Sequence, residues 1–340
     1  MVKQPDYKLK WNGKTLTKEM DEYLISLTFQ DREEGESDEL QFVLDDKLGL
    51  WRNDYYPRKG DPVELELGWV DGEFTPCGSF QIDEIEVYRG IQGDRVAIRA
   101  LSAIITAPLR TKGRKRYENI TLKRLADTIA SDMGMTATGI VDKITLPGVS
   151  RHKQTPLAFL RVQALKYGYI FTIKSNKIVF TKAGTLQERE SIGQFDASQF
   201  ESCRITDATD LEYKSAQHTY WDAKNKKKVS FNHTGKSQLT LESLKNDTLH
   251  IGGHVANDQQ SEQKAKAAWL KANNGSVSGR LEFAYGASSI LAGNNIELIR
   301  MGKLSGLYHI SSTSHSVSYG SGARLSADVF KVGEIAASFY

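Results

Sequence analysis

The chain has 340 residues, of which 39% are hydrophobic and 26% charged; that is a globular composition, long enough for two or three domains and unlike a disordered tail. A formal charge of +3 is too small in itself to announce a nucleic-acid or membrane partner, and two cysteines, Cys77 and Cys203, cannot build a disulfide framework or a Cys-rich zinc site. Met1-Val2-Lys3-Gln4-Pro5-Asp6 lacks the apolar region of a secretory signal, and the apolar stretch Leu101 to Leu109 is far short of the roughly 20 residues of a membrane span, so the reading is a soluble protein made in the cytoplasm.

The first hundred residues read as strands. Tyr7 to Trp11 alternates and runs into Asn12-Gly13, a hairpin signal. Leu24 to Phe29 and Leu40 to Leu44 flank an acidic run, Asp31 to Glu39, expected to be a solvated loop. Pro62 to Leu67, Phe80 to Ile82, Ile85 to Tyr88 and Arg95 to Leu101 complete a set whose close spacing and Gly-rich turns suggest a barrel or sandwich.

The pattern changes near residue 106. Thr121 is placed to cap a helix with Leu122, Leu125, Ile129 and Met133 on one stripe, ended by Gly134. Thr155-Pro156 opens a second helix that stops at Gly168, and Tyr169 to Ile173 with Lys177 to Phe180 form a hairpin around Ser175-Asn176. Strand patterns return after residue 184, at Arg204 to Thr206, Ala216 to Tyr220 and Lys228 to Phe231, and then an Ala- and Lys-rich helix covers about 261–273. Four further strands follow, near Ser278 to Phe283, Asn295 to Ile299, Leu307 to Ile310 and Arg324 to Val329.

Charge divides the same way. Residues 1–105 hold 13 basic and 22 acidic side chains, residues 106–183 hold 15 and 4, and residues 184–340 hold 17 and 16. The α+β middle piece is therefore strongly basic beside an acidic β-piece.

A faint internal repeat links the two β-rich ends. Gly60-Asp61-Pro62-Val63-Glu64-Leu65 is similar to Gly293-Asn294-Asn295-Ile296-Glu297-Leu298, Gly78-Ser79-Phe80-Gln81-Ile82 to Gly306-Leu307-Tyr308-His309-Ile310, and a Gly-rich turn precedes both Arg95 and Arg324. Two similar β-domains would then flank the basic insert, and a trimer of such a chain would offer six quasi-equivalent β-domains in a ring.

No catalytic constellation stands out. His250 and His254 have i, i+4 spacing, but Gly252-Gly253 between them argues against a metal-binding helix; His309 and His315 share a strand face too far apart to bind one ion. Glu33, Glu34, Glu36, Asp38 and Glu39 leave a glycosidase pair open. There is no nucleophile elbow or phosphate-binding loop, and no cofactor is implied. The basic run Arg110, Lys112, Arg114, Lys115, Arg116, Lys123 and Arg124 could contact phosphates, or could match the acidic β-piece within the chain or between subunits.

Three stretches belong together: Gly78 to Glu86 with Val96 to Ala103; Arg116-Tyr117-Glu118-Asn119-Ile120-Thr121-Leu122 with Ile129-Ala130, Gly134, Phe159-Leu160-Arg161 and Tyr167-Gly168-Tyr169; and Gly306 to Ile310 with His315 and the strand from Arg324. In this order they resemble the phage late control D family, the central baseplate hub proteins of contractile phage tails and tailocins. The acidic pattern usual before the second helix is here Gln154-Thr155-Pro156. The resemblance implies a mainly β chain with an α+β insert: a tube-protein-like β-barrel over 1–105, the basic insert over 106–183, and a second barrel with one helix over 184–340. It further implies a non-enzymatic homotrimeric ring, assembled in the bacterial host cytoplasm into a virion tail baseplate or tailocin particle. Such a ring would adapt a six-fold tail tube to a three-fold spike, with the tube protein or its initiator, the trimeric spike and baseplate wedge proteins as partners. Arg110, Arg114, Lys115, Arg116, Trp51, Tyr55 and Tyr56 are the candidate interdomain or subunit contacts. A cell-wall glycan-degrading or glycan-binding tail-tip protein and a nucleic-acid-binding module are the competing readings.

Overall fold

A computed structural model describes residues 5–15, 22–35, 37–102, 111–208, 213–222, 225–235, 247–253, 255, 257–283, 289–318 and 322–332. Seven strands come first: β1 (Pro5–Trp11), β2 (Lys14–Thr15), β3 (Leu24–Arg32), β4 (Glu39–Asp45), β5 (Pro62–Trp69), β6 (Phe74–Tyr88) and β7 (Arg95–Leu101). The insert follows as β8 (Gly113–Thr121), α1 (Leu122–Asp132), β9 (Thr136–Thr138), β10 (Thr145–Gln154), α2 (Pro156–Tyr167), β11 (Tyr169–Lys174), β12 (Lys177–Lys182) and α3 (Ala183–Gln187). The remainder is β13 (Ser191–Phe195), β14 (Phe200–Asp207), β15 (Ser215–Asp222), β16 (Lys227–Thr234), β17 (Thr248–Ile251), α4 (Asp258–Asn273), β18 (Val277–Phe283), β19 (Asn295–Leu298), β20 (Gly306–Ser318) and β21 (Gly322–Lys331). The fold is mainly β with an α+β insert.

Thirteen strands form one sheet in the order β14-β18-β21-β20-β3-β4-β7-β6-β5-β1-β2, with β19 on β20 and β13 on β19. Neighbouring strands lie about 4.8 Å apart, so strands four places away in a flat sheet could not touch. Yet Trp11 of β1 meets Phe42 of β4 at 6.0 Å between ring centroids, and Phe195 of β13 meets Phe283 of β18 at 5.7 Å. Each half of the sheet therefore curls round its own core. One core is built on Leu9, Leu27, Phe29, Phe42 and Phe80, the other on Leu281, Ile296, Tyr308, Ile310 and Leu325.

The repeat extends to backbone hydrogen bonds. Val63↔Phe80 and Leu65↔Gly78 are mirrored by Ile296↔Tyr308 and Leu298↔Gly306. The amide of Gly60 bonds the Ile82 carbonyl at 2.7 Å and that of Gly293 bonds Ile310 at 2.9 Å; the return bonds, Ile82 to Asp61 and Ile310 to Asn294, are 3.0 and 2.9 Å. Gly78 and Gly306 share positive φ values of 126° and 139°, a region that excludes most side chains. Bulges recur too, between Leu24 and Ser26 and between Phe200 and Ser202, then between Ile82 and Glu84 and between Ile310 and Ser312. The strand order β3-β4-β7-β6-β5 thus repeats as β14-β18-β21-β20-β19.

The insert has its own core. Thr121 caps α1, whose buried stripe includes Leu122, Leu125 and Ile129; Thr155 caps α2, Pro156 occupies its first turn, and Gly168 ends it with φ 78°. β8 pairs with β10, and β11, β12 and β9 form a three-stranded sheet. Strand patterns near 216 and 228 do form strands, but these stay out of the large sheet. β16, β15 and β17 make a separate three-stranded sheet, against which α4 packs with Ala265 and Trp269 buried. An alternating strand does not record which sheet it joins, so local pattern alone could not separate these strands from their neighbours.

Candidate functional site: a buried polar junction

The run from Asp31 to Glu39, expected to be a solvated loop, buries three of its acids, Asp31, Glu33 and Asp38, while Glu36 lies outside the described residues. Leu27, Phe29, Asp31 and Glu33 share one face by strand periodicity, and that face is the core face of β3. Asp31, Asp38 and Glu33 are only 2%, 3% and 8% exposed. The hairpin of β11 and β12 lies across the turn. Gly35 N–H donates to the Phe171 carbonyl at 2.8 Å, Asn176 N–H to the Ser102 carbonyl at 3.0 Å, and Ser102 Oγ to the Ile173 carbonyl at 2.6 Å.

Burying a carboxylate is costly unless it is paired and hydrogen-bonded. Lys174 at the end of β11 supplies the cation, bonding Asp31 and standing 3.7 Å from Asp38. Asp31 Oδ2 also accepts from Ala292 N–H at 2.8 Å, and Asp38 Oδ1 from Arg32 N–H at 3.1 Å. Burial, with Asp31 adding to it and Lys174 opposing, pushes the Asp38 pKa up to about 7. Burial works against the Lys174 ammonium, but Asp31 and Asp38 outweigh it and raise its pKa.

Glu33 links the same turn to the second half of the sheet. Its Oε1 is 2.8 Å from His309 Nε2, and His309 Nδ1 is 2.6 Å from Asn295 Oδ1. Asn295 in turn donates to the carbonyls of Leu186, Gln187 and Arg189 at 3.1, 3.1 and 2.6 Å. His315 is buried beside them, stacked on Phe29 with Nε2 3.0 Å from the Ile290 carbonyl, and burial lowers its pKa to about 4. One turn therefore ties both halves of the sheet to the insert. Beside it opens a cleft of about 440 Å³ between α2, α3 and α4, with Glu34, Lys271, Leu165, Leu270 and Phe330 among its walls. Of the two carboxylates on this cleft, Glu33 is committed to His309.

The residues singled out in the sequence lie elsewhere. Arg114, Lys115 and Arg116 are exposed on β8; Lys115 pairs with Asp132 at 2.5 Å and Arg116 with Glu118 at 2.7 Å, both within the insert. Arg110 and His254 lie outside the described residues. Trp51 is buried, stacked on Trp11 at 6.4 Å and edge-on to Tyr23 at 5.9 Å, whereas Tyr55 and Tyr56 are exposed. Among the described residues no group of three or more His, Cys, Asp or Glu is placed to hold a metal ion, and no helix is long and apolar enough to cross a membrane. Sequence reading missed the Asp31, Glu33, Asp38, Lys174, Asn295 and His309 constellation. Its signal was the continued alternation from Leu27 through Glu33.

No protein-family model matches the chain. It is 32% identical over 183 residues to the "Probable baseplate hub protein" of Escherichia phage 186, a stretch covering 53% of this chain and 46% of that protein. It is 28% identical over 185 residues to the "Probable baseplate hub protein" of Escherichia phage P2, with the same two shares. The chain thus spans about half the length of the curated relatives it matches. Among solved structures, the 43 kDa tail protein of prophage MuSo2 from Shewanella oneidensis has a TM-score of 0.69 at 14% identity, covering 96% of this chain and 98% of that one. A tail protein from Neisseria meningitidis MC58 has a TM-score of 0.71 at 10% identity, covering 97% of each. At such identities the likeness is one of fold, the fold of phage tail proteins. The resemblance to baseplate hub proteins read from the sequence is borne out.

Proposed function

We propose that the chain is a structural, non-enzymatic baseplate hub of a contractile phage tail or tailocin. Three copies would close into a ring that adapts the six-fold tail tube to the three-fold spike, built in the host cytoplasm and contacted by tube, spike and wedge proteins. The domain reading is a first β-unit over 1–105, a basic insert over 106–183, and a second β-unit over 184–340 that carries the excursion with α4.

The repeat and its one internal junction carry this reading. Within the chain, β20 of the second unit pairs with β3 of the first, placing His315 opposite Phe29 and Val317 opposite Leu27. Carried through the repeat, β20 becomes β6 and β3 becomes β14. The matching contact sets Val87 opposite Ile205 and Arg89 opposite Cys203. Among the described strands, β14 pairs on one edge alone, with β18, and residues 84–88 of β6 pair with β7 alone. These two free edges belong to different units of one chain, so the second copy of the junction is satisfied between chains. Such a head-to-tail contact makes a ring when its rotation closes. Three copies then hold three internal and three intermolecular junctions. Val87, exposed on its edge, gains cover from half-buried Ile205.

Directly opposite residues on paired strands have Cβ atoms about 4.5–5.5 Å apart, within disulfide reach after small adjustment. The test is Val87→Cys with Ile205→Cys in a Cys203→Ser background, oxidised at high protein concentration. Covalent dimers and trimers are expected, with a light-scattering mass of three times 38.0 kDa. A 38.0 kDa monomer that forms no cross-link overturns the reading.

A further inference from the structure

Asn295 fixes the tautomer of His309. Its amide nitrogen donates to three carbonyls, so the atom facing His309 Nδ1 at 2.6 Å is the amide oxygen, which only accepts. Nδ1 therefore carries a hydrogen. The opposite nitrogen, Nε2, stands 2.8 Å from a carboxylate oxygen of Glu33. If Glu33 were ionised and Nε2 bare, two acceptors would face each other in a site where His309 is 0% exposed and water cannot intervene. One further proton lies between them, whether it is assigned to the imidazole or to the carboxyl.

The other end of the turn has the same shortage. Among the described residues Asp31 and Asp38 face a single ammonium, Lys174, and each also accepts one backbone N–H, from Ala292 and Arg32. Two buried like charges beside one cation leave one charge uncompensated unless a proton is shared.

We infer that the turn carrying Asp31, Glu33 and Asp38 is a proton-dependent latch, closing the insert and both halves of the sheet on one another when the proton shared by Asp31 and Asp38 is bound and loosening as that proton leaves in alkali. Other titratable groups stand around it. The charge of Asp31 acts on Cys77 of β6 and on His315 of β20, and that of Asp38 on Cys77; burial pushes the thiol pKa up to about 12 and the imidazole pKa down to about 4, so both stay neutral near physiological pH. Beside Glu33, Glu34 faces Lys271 of α4 and Arg161 of α2; burial raises its pKa and these two cations oppose the rise. The sign follows from Asp38: with a pKa raised to about 7 in the fold, its proton stabilises the closed turn fully below the unfolded carboxylate pKa and is lost as pH rises through about 7.

Hydrogen–deuterium exchange of the full chain at pH 6 and pH 9, corrected for intrinsic rates, reads the latch at the amides of Glu33, Gly35 and Ala292. Wild-type protection is expected to fall at least about tenfold at the higher pH, a change of about 1.4 kcal/mol in local opening. Asp38→Asn supplies a fixed hydrogen in nearly the same shape and should flatten that fall. Equal wild-type protection at both pH values overturns the inference, as does an Asp38→Asn variant that loses protection as steeply as the wild type.

Discussion

Asn295 shows how a single side chain differentiates two copies of a repeat. It occupies the position of Pro62 in the first copy, a residue with no amide hydrogen and no polar side chain. In the second copy the same position is fully buried, and its carboxamide satisfies three carbonyls around the end of α3 while orienting His309. Asn295→Leu fills similar volume but orphans all of these groups. A buried polar group left unsatisfied costs about 1–3 kcal/mol, so the variant should unfold about 2–4 kcal/mol more easily, read from urea midpoints at unchanged slope. Asn295→Asp should be nearly as damaging, because it removes the donors and keeps the shape. The repeat was visible in the sequence, but the role of this position was not, since its partners lie 14 and more than 100 residues away. The buried acids were hidden for the same reason: His309 is 276 residues from Glu33, and Lys174 is 143 from Asp31.

Elements whose boundaries depend on local chemistry were legible. Thr121, Thr155, Pro156 and Gly168 each do at a helix end what their side chains dictate, and Ser175-Asn176 turns the β11–β12 hairpin with both φ values positive. Gly168 also has a task that no local rule announces. A Cβ there would stand 2.9 Å from the Ala267 Cβ of α4, in addition to meeting the left-handed backbone at φ 78°. The left-handed conformation costs a non-glycine residue about 1–2 kcal/mol, and the clash pushes α2 from α4. Gly168→Ala should lower stability by about 2–4 kcal/mol in thermal or urea unfolding. Adding Ala267→Gly should recover the steric share and leave the backbone share, so a complete rescue would show that strain is absent. Sheet membership was the part of element structure that stayed hidden. β15 and β16 alternate like the barrel strands around them, and it is the packing of α4 on their face that gives them a separate core.

At the scale of the whole molecule, the sequence already separates an acidic first β-unit from a basic insert, and the structure shows how little of that contrast is spent inside the chain. Lys174 meets Asp31 and Asp38 in the junction, while Lys115 and Arg116 pair with Asp132 and Glu118 on the insert's own surface. Exposed pairs of that kind contribute about 0–1 kcal/mol to folding, so the basic face of β8 is a poor stability device. Long-range charge complementarity instead sets orientation and association rate. On β6, Asp83 and Glu84 share Arg99 at 2.9 and 2.8 Å, which leaves that stretch with Glu86 a net negative charge, the sign that such a face would seek in a second copy. Replacing Arg114, Lys115 and Arg116 together by Glu should therefore leave the melting temperature within a few degrees of wild type. The same change should raise the concentration needed to form the proposed trimer at least about tenfold, equivalent to about 1.4 kcal/mol of association free energy. The gap between variant and wild type should close as salt is added, because exposed charges are screened beyond about 10 Å at 0.1 M ionic strength. Light scattering across a dilution series at two salt concentrations measures both effects, and a trimer that persists unchanged in the triple variant removes the basic insert from the interface.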